Sequence, residues 1–199
     1  MTTLASPRLA PPRTMAAPAM PRQKTFTVDE YHRLAEVGIL AESSRTELID
    51  GIILHMAPFS PPHIAVVNRM TAAFFRHVCL DARVSVQNAV RLDDGTEPEP
   101  DVALLRPDTP EDRVPVAADT LLVVEIAVTT EAFDRNVKLA RYAAAGVPEA
   151  WLVLPEKRTV ETFRGPGPGG YAETARYTEA DTVDVLGAPL AVAGLFPPA

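Results

Sequence analysis

The sequence contains little cysteine and no long apolar stretch. Cys79 is the only cysteine among 199 residues. This excludes an internal disulfide framework and fits a reducing compartment, so we expect a cytoplasmic protein. No run of 18 apolar residues occurs, so no segment is expected to span a membrane. Internal repeats and heptads are also missing, which excludes solenoid and coiled-coil architectures.

Basic residues are scarce outside the N-terminal segment. The chain has 19 Lys and Arg against 26 Asp and Glu, a net charge of −7. Residues 1–24 contain four of the basic residues and no acid, so the remainder has 15 basic and 26 acidic residues, a net charge of −11. Proteins that coat nucleic acid by neutralising phosphates normally have the opposite sign. The charge therefore argues against a general DNA-coating role and leaves room only for a local basic groove.

Length and composition indicate one domain with a tail. Hydrophobic residues make up 47% and charged residues 23%, close to the average of globular proteins. Residues 1–24 are rich in Pro, Ala and Arg without a periodic apolar face, which predicts a flexible tail. A single domain is predicted at residues 25–196, and residues 196–199 are expected to be frayed.

The N-terminal half of the domain predicts helices and hairpins. A capping box at residues 27–30 predicts a short helix. The Asp50-Gly51 pair predicts a two-residue hairpin turn, and a second hairpin is predicted around Asp94-Gly95. Between them, helical spacing of six residues predicts an amphipathic helix of about five turns that lies on the sheet. These six residues are Ile64, Val67, Thr71, Phe74, Phe75 and Val78.

The C-terminal half predicts a right-handed parallel crossover. Residues 120–128 are a continuous β-branched apolar run, typical of a strand buried on both faces. A helix at residues 131–145 and a buried strand at residues 150–154 follow. Three more strands are expected to form a peripheral meander. They are predicted at residues 158–163, 171–177 and 182–186. The fold class is therefore mixed α/β, with a mixed central β-sheet flanked by helices.

Two carboxylates stand out because each lies in an apolar strand. Glu125 is bracketed by Val124 and Ile126, and Asp101 opens the run at residues 101–105. Burying a carboxylate is costly unless a cation or strong donors compensate it, and two neighbouring carboxylates repel each other. A divalent cation resolves both problems. Asp101, Glu125 and the backbone carbonyl of Ile126 are enough to hold Mg²⁺, which keeps several water ligands.

Each of these residues also has a simpler explanation. Either acid could be a strand-end carboxylate satisfied by an arginine or by backbone N–H groups. Lys138, on the helix after the Glu125 strand, could aim back over the strand end. It could equally form an exposed i, i+4 ion pair with Asp134, worth about 0.3–0.5 kcal/mol. Spacing alone does not separate these alternatives, although two acids and a lysine near one part of the sheet favour a site.

Eight short segments of the chain follow a known pattern in the same order. In one-letter code they are FTVDEY (26–31), ELIDG (47–51), PH (62–63), VQN (86–88), EPDV (99–102), VEI (124–126), DR through KL to YA (134–143) and AGVPEAW (145–151). With them the chain resembles the Uma2 family, endonucleases of the PD-(D/E)XK restriction-endonuclease-like superfamily. The resemblance implies a restriction-endonuclease-like core with an N-terminal helix and hairpin.

The resemblance also implies roles for particular residues. Asp101 and Glu125 would be the acids that bind Mg²⁺ or Mn²⁺, and Glu47 a supporting acid at the same centre. The lysine of the superfamily motif would fall at position 127, where this chain has Ala127. In this family the lysine is found on the following helix, which implies Lys138 as the catalytic cation.

Some residues are expected only at the edge of this site. His63, at the start of the second helix, and Gln87 are expected as peripheral contacts. Any hydroxyl contact after the second acid must come from Thr129 or Thr130, because the family's serines are replaced there.

Two functions remain open at this point. The first is a metal-dependent endonuclease that hydrolyses DNA phosphodiester bonds. The second is a catalytically inactive nuclease-like fold that serves as a binding or assembly module, which the acidic domain and Ala127 favour. A homodimer is also expected, because nucleases of this class commonly act on two strands.

Overall fold

The structure is a computed structural model that describes residues 23–41, 44–78 and 81–198. Residues 1–22, which make up most of the predicted tail, and Cys79 lie outside the described residues. Within these ranges, no helix is both long enough and apolar enough to cross a membrane.

A six-stranded mixed sheet forms the centre of the fold. The described residues form ten strands: β1 Thr46–Ile49, β2 Ile52–His55, β3 Arg83–Val86, β4 Val102–Leu105, β5 Thr120–Ile126, β6 Glu149–Leu154, β7 Thr159–Gly167, β8 Gly170–Thr178, β9 Thr182–Val185 and β10 Ala188–Ala191. The central sheet has the order β3-β4-β5-β6-β7-β8, and β1-β2 and β9-β10 form separate hairpins. Only β5 and β6 pair in parallel in the central sheet, which confirms the predicted parallel pair.

Two helical segments cover the two faces of this sheet. The bounds of the helices are α1 Val28–Glu36, α2 Pro61–Val78, α3 Glu131–Phe133 and α4 Leu139–Ala144, and a π-helical turn at Asp134–Lys138 joins α3 to α4. The π-helical turn is defined by the N–H of Leu139, which donates to the carbonyl of Asp134, five residues back. α2 and the β9-β10 hairpin pack on one face of the sheet, and the helix from α3 to α4 packs on the other.

Local sequence signals at the N-terminal end of the domain are confirmed. The Thr27 hydroxyl accepts the backbone N–H of Glu30, and the Glu30 carboxylate accepts that of Thr27, so the capping box is present. Asp50 and Gly51 both have positive φ, 53° and 75°, as the turn between β1 and β2 requires. The Phe26 N–H donates to the Gly51 carbonyl at 2.8 Å, which ties the start of α1 to this hairpin.

The buried face of α2 differs from the predicted one. The helix has the predicted length of five turns, and Phe74 packs edge-on against Trp151 in the core. Phe75, however, is 54% exposed, and Ile64 is also exposed. The face that packs on the sheet instead includes Met70, because positions 63, 66, 67, 70, 74 and 78 form the i, i+3, i+4 stripe of one helix side.

Three other predictions need correction. The second hairpin exists as β3 paired with β4, and the predicted turn at Asp94-Gly95 is present as an isolated antiparallel bridge between Asp93 and Thr96. However, β3 ends at Val86, and the rest of residues 87–101 is irregular. Strands β7 and β8 are not a peripheral meander: β7 pairs with β6 and extends the central sheet, which buries residues 159–163. Phe196 is not frayed, since it is 1% exposed and packs in the core beneath α2.

Candidate functional site

An acidic pocket opens where β1, β4, β5 and the N-terminus of α2 approach the helix from α3 to α4. Its volume is about 270 Å³. Five carboxylic acids line it, from four separate parts of the chain. They are Glu47, Glu99, Asp101, Glu125 and Asp134. The cations among the lining residues are Lys138 and Arg45.

Asp101 is held at the start of β4 by groups from two other elements. Its Oδ2 accepts a hydrogen bond from the backbone N–H of Ile126 at 2.8 Å. Its Oδ1 lies 2.8 Å from Nε2 of His63, on the first turn of α2. The buried carboxylate therefore connects the end of β5 to α2, and its orientation is fixed from both sides.

Glu125 meets Lys138 and Tyr142 in the interior. The Nζ of Lys138 lies 2.8 Å from Glu125 Oε1, and the Tyr142 hydroxyl donates to the same oxygen at 2.5 Å. Glu125 is 4% exposed and Lys138 2% exposed, so the exposed Asp134–Lys138 pair is not what the structure contains.

Glu47 shares the same lysine. Lys138 Nζ donates to Glu47 Oε1 at 3.1 Å. Glu47 lies on β1 and is also buried. The other carboxylate oxygen of Glu47, Oε2, is buried and has no hydrogen-bond partner among the described residues. One ammonium group is thus divided between two buried acids, and one carboxylate oxygen is left without a donor.

The π-helical turn brings a further acid into the pocket. Asp134 is buried one turn before Lys138, and its Oδ2 accepts the Thr130 hydroxyl at 2.5 Å. The threonine contact expected after the second acid therefore goes to Asp134. Burial raises the pKa of Asp134, while Lys138 and the Thr130 hydroxyl oppose the shift.

Burial also dominates the protonation equilibria of the pocket. Desolvation raises the pKa of Glu125 well above its usual range; Lys138 opposes this shift, and the neighbouring acids add to it. Burial lowers the pKa of Lys138, but the Glu125 and Glu47 carboxylates outweigh it and raise the pKa overall. Lys138 is therefore charged, while a single shared ammonium does not offset the burial of Glu125. Burial likewise raises the pKa of the half-buried Glu99.

The two residues expected at the periphery differ in position. His63 lines the pocket, its ring stacks on Phe59 with centroids 4.7 Å apart, and its Nδ1 is buried without a partner among the described residues. Gln87 is not among the lining residues of the pocket. Its backbone N–H donates to the carbonyl of Asp101 at 3.1 Å, so its contact with the site is through the main chain.

With this geometry established, comparison with known proteins identifies the family. The sequence profile of the Uma2 family, described as "Putative restriction endonuclease", matches residues 28–193. The chain belongs to the Uma2 family.

A solved structure supports the Uma2 fold. The crystal structure of a "putative nuclease belonging to DUF820" from Anabaena variabilis is similar with a TM-score of 0.66 over 85% of this chain and 97% of that one. The two sequences are 18% identical, so this likeness concerns the fold alone. No curated protein matches this Uma2 chain in sequence.

The Uma2 pocket contains most of the residues singled out from the sequence. Asp101, Glu125, Ile126, Lys138 and Glu47 all line it. Sequence reasoning gave no site role to four residues that contact them or share their pocket: Tyr142, Arg45, Glu99 and Asp134. Tyr142 follows Lys138 at i+4 on the helix, a spacing that could have revealed it; Arg45 lies in a connection without any periodic signal.

The donor set of this Uma2 pocket fits a hard divalent cation. Within the described ranges, no three His, Cys, Asp or Glu side chains form a ready three-ligand metal cluster. The carboxylates nevertheless outnumber the two lining cations, Lys138 and Arg45, and no group of the described chain donates to Glu47 Oε2. Mg²⁺ and Mn²⁺ prefer oxygen ligands, and Mg²⁺ is commonly held by one or two carboxylates with water. The residues present therefore suit such an ion.

Proposed function

We propose that this chain is a metal-dependent endonuclease that hydrolyses DNA phosphodiester bonds. Asp101, Glu125 and the backbone carbonyl of Ile126 would hold Mg²⁺ or Mn²⁺, Glu47 would support the same centre, and Lys138 would be the catalytic cation.

The observation that carries this proposal is the uncompensated negative charge around Lys138. Glu125 and Glu47 both contact its ammonium group, and Asp101 lines the same pocket. Buried carboxylates of this kind are costly unless a further cation joins them. A divalent ion would supply this positive charge. Membership in a family described as "Putative restriction endonuclease" is consistent with a metal ion that takes part in hydrolysis.

The position of Lys138 offers an explanation for Ala127. Side chains at 125 and 127 point to the same face of the sheet, because strand residues alternate. The helix that carries Lys138 covers this face, where Ala127 packs with Leu139. A lysine on the covering helix can therefore reach Glu125 without a lysine in the strand.

Each residue has a distinct part in the proposed reaction. When bound, the metal ion supplies Lewis-acid stabilisation and a water of lowered pKa. The Ile126 N–H and His63 orient Asp101, and the oxygen that faces His63 has a second lone pair for a further ligand. Tyr142 fixes Glu125, and Lys138 would neutralise charge that develops on phosphate oxygens.

Substitution of Asp101 tests the proposal. Purified wild type should nick supercoiled plasmid in Mg²⁺ or Mn²⁺ and stop in EDTA. Asp101→Asn should lower the rate by more than the roughly 10- to 100-fold typical of residues that only support a metal ligand. Asp108→Asn, at an exposed position outside the pocket, is the matched control and should keep full activity. Equal cleavage by Asp101→Asn and wild type would contradict the proposal.

One observation favours the inactive binding module instead. Both oxygens of Asp101 already have close partners, His63 Nε2 and the Ile126 N–H. The absence of a lysine at position 127 points the same way. Two results together would establish the binding module: calorimetry detects no binding of Mn²⁺, and the chain forms a stable complex with a partner molecule without cleaving DNA.

Three other expectations stay predictions. A cytoplasmic location rests on the single cysteine, and the boundary at residues 24–25 falls at the start of the described part of the chain. A homodimer is consistent with the exposed Ile64 and Phe75 on α2. Sedimentation at micromolar concentration tests the dimer, because a monomer has a mass of 21.5 kDa.

A further inference from the structure

An acidic pocket repels the polyanion that the proposed function requires it to bind. The cations that line the pocket are Lys138 and Arg45. Lys138 is buried, and its ammonium already contacts Glu125 and Glu47. A phosphate that approaches from solvent therefore needs a different positive group.

Arg45 has the exposure and the free donors for this task. It is half-buried, and Nη1 donates to the carbonyl of Ala57 at 2.5 Å. Among the described residues, no Asp or Glu oxygen lies within 4.0 Å of its guanidinium nitrogens. A guanidinium has five N–H donors in a planar fork, and in the part of the chain that the structure describes only the Ala57 carbonyl accepts from them.

Phe59 holds this guanidinium in one orientation. The central carbon of the Arg45 guanidinium lies 3.4 Å from the centroid of the Phe59 ring. The opposite neighbour of Phe59 is His63, which stacks on it at an interplanar angle of 18° and reaches Asp101 with its Nε2. A stack of Arg45, Phe59 and His63 therefore runs from the pocket wall to the acid that would bind metal.

We propose that Arg45 binds a backbone phosphate of DNA at this pocket and positions it beside the acids. The inference rests on the proposed nuclease function, to which it adds a substrate-binding residue. An arginine suits this position because its planar fork binds two phosphate oxygens at once and stacks on an aromatic ring, whereas a lysine acts as a point charge.

Substitution of Arg45 tests the inference through binding as well as cleavage. The variants are Arg45→Gln and Arg45→Lys, with Arg76→Gln as the control for charge, since Arg76 is exposed on α2 and outside the pocket. Fluorescence anisotropy of a labelled DNA duplex in EDTA measures affinity over a range of salt concentrations. Arg45→Gln should weaken binding about 10-fold, the scale of one charge-assisted contact. It should also reduce the slope of log affinity against log salt by about 0.9, the value for one phosphate contact.

The remaining variants and the cleavage assay sharpen this test. Arg45→Lys should keep the salt slope but recover only part of the affinity, and Arg76→Gln should match wild type. With Mn²⁺, Arg45→Gln should raise KM and leave kcat nearly unchanged. A fall in kcat together with a lower urea midpoint and an unchanged salt slope would indicate a merely structural role and overturn the inference.

The outcomes also separate this inference from the proposed function. Cleavage by wild type, with affinity and salt slope unchanged in Arg45→Gln, overturns the role of Arg45 and leaves the nuclease standing. DNA binding that depends on Arg45, without any metal-dependent cleavage, overturns the nuclease and keeps the role of Arg45. A wild-type chain that neither binds nor cuts DNA overturns both.

Discussion

Replacing Lys138 by methionine would remove the cation that two buried carboxylates share. Nζ lies 2.8 Å from Glu125 and 3.1 Å from Glu47. At an effective dielectric constant of about 20, unit charges at these distances attract by roughly 5–6 kcal/mol per pair. The lost desolvation cost of the ammonium offsets part of this, so we expect Lys138→Met to lower the free energy of unfolding by about 3–5 kcal/mol in EDTA at neutral pH.

This loss should depend on pH in a defined direction. Burial already raises the pKa of Glu125 above its ordinary 4.5, and removal of Lys138 raises it further, because the ammonium opposes the shift. Between pH 4.5 and the raised pKa, the folded state binds more protons than the unfolded state. Stability therefore falls as pH rises through this window. The deficit of Lys138→Met should be smallest near pH 5 and should grow toward pH 8.

Urea denaturation at several pH values measures this effect, with Lys157→Met as the matched control. Lys157 is 53% exposed, and its Nζ lies 2.7 Å from Glu131, so its loss should cost no more than about 1 kcal/mol. The reasoning would be refuted if both variants cost the same, or if the Lys138→Met deficit shrank as pH rose.

Two further changes test the site and the core. Tyr142→Phe removes one of the two partners of Glu125 Oε1, the other being Lys138, and should cost about 1–3 kcal/mol because a hydrogen bond to a buried carboxyl group is lost. Tyr171→Phe loses a bond to a neutral carbonyl and should cost less; equal urea midpoints for the two variants would count against this. Phe196→Ala should lower the free energy of unfolding by about 3–5 kcal/mol, because Phe196 is buried although it lies three residues from the end. Phe75→Ala, at an exposed position, should change stability only slightly. Similar losses of stability for the two variants in calorimetric melting would disprove this difference in burial.

Signals that depend on adjacent residues could be predicted from the sequence. The capping box needs only Thr27 and Glu30, and the hairpin turn needs only Asp50 and Gly51. In each case the residues that determine the backbone are the residues that adopt it. The parallel pair of β5 and β6 followed from the same local periodicities.

Signals that depend on packing could not be predicted in this way. Whether β7 joins β6 or stays peripheral depends on the free edge of β6, which no short segment encodes. Phe74 and Phe75 are neighbours with the same chemistry, and only the rotation of α2 on the sheet buries one and exposes the other.

The candidate site was only partly predictable, because some of its residues have a local signal and others are placed by packing. A carboxylate inside an apolar strand, such as Glu125, is visible in the sequence because it needs compensation. The direction of Lys138 was not, because the same spacing allowed an exposed pair with Asp134. Arg45 lies at the pocket because its guanidinium stacks on Phe59, fourteen residues away in a different connection. No local sequence pattern predicts this contact.

The π-helical turn makes the geometry of the candidate site sensitive to chain length as well as to residue identity. Each residue of an α-helix advances the side chains by about 100° around the axis. Deleting one residue between Asp134 and Lys138 would convert the wide turn into a regular one and rotate everything after it by about that angle. Tyr142 would then leave Glu125 although no side chain of the pocket had been exchanged. Such a deletion would move the helix from α3 to α4 out of register with the acids on the strands that it covers. In sequence alignments of related chains, the number of residues in this helix should therefore be compared before individual site residues are matched.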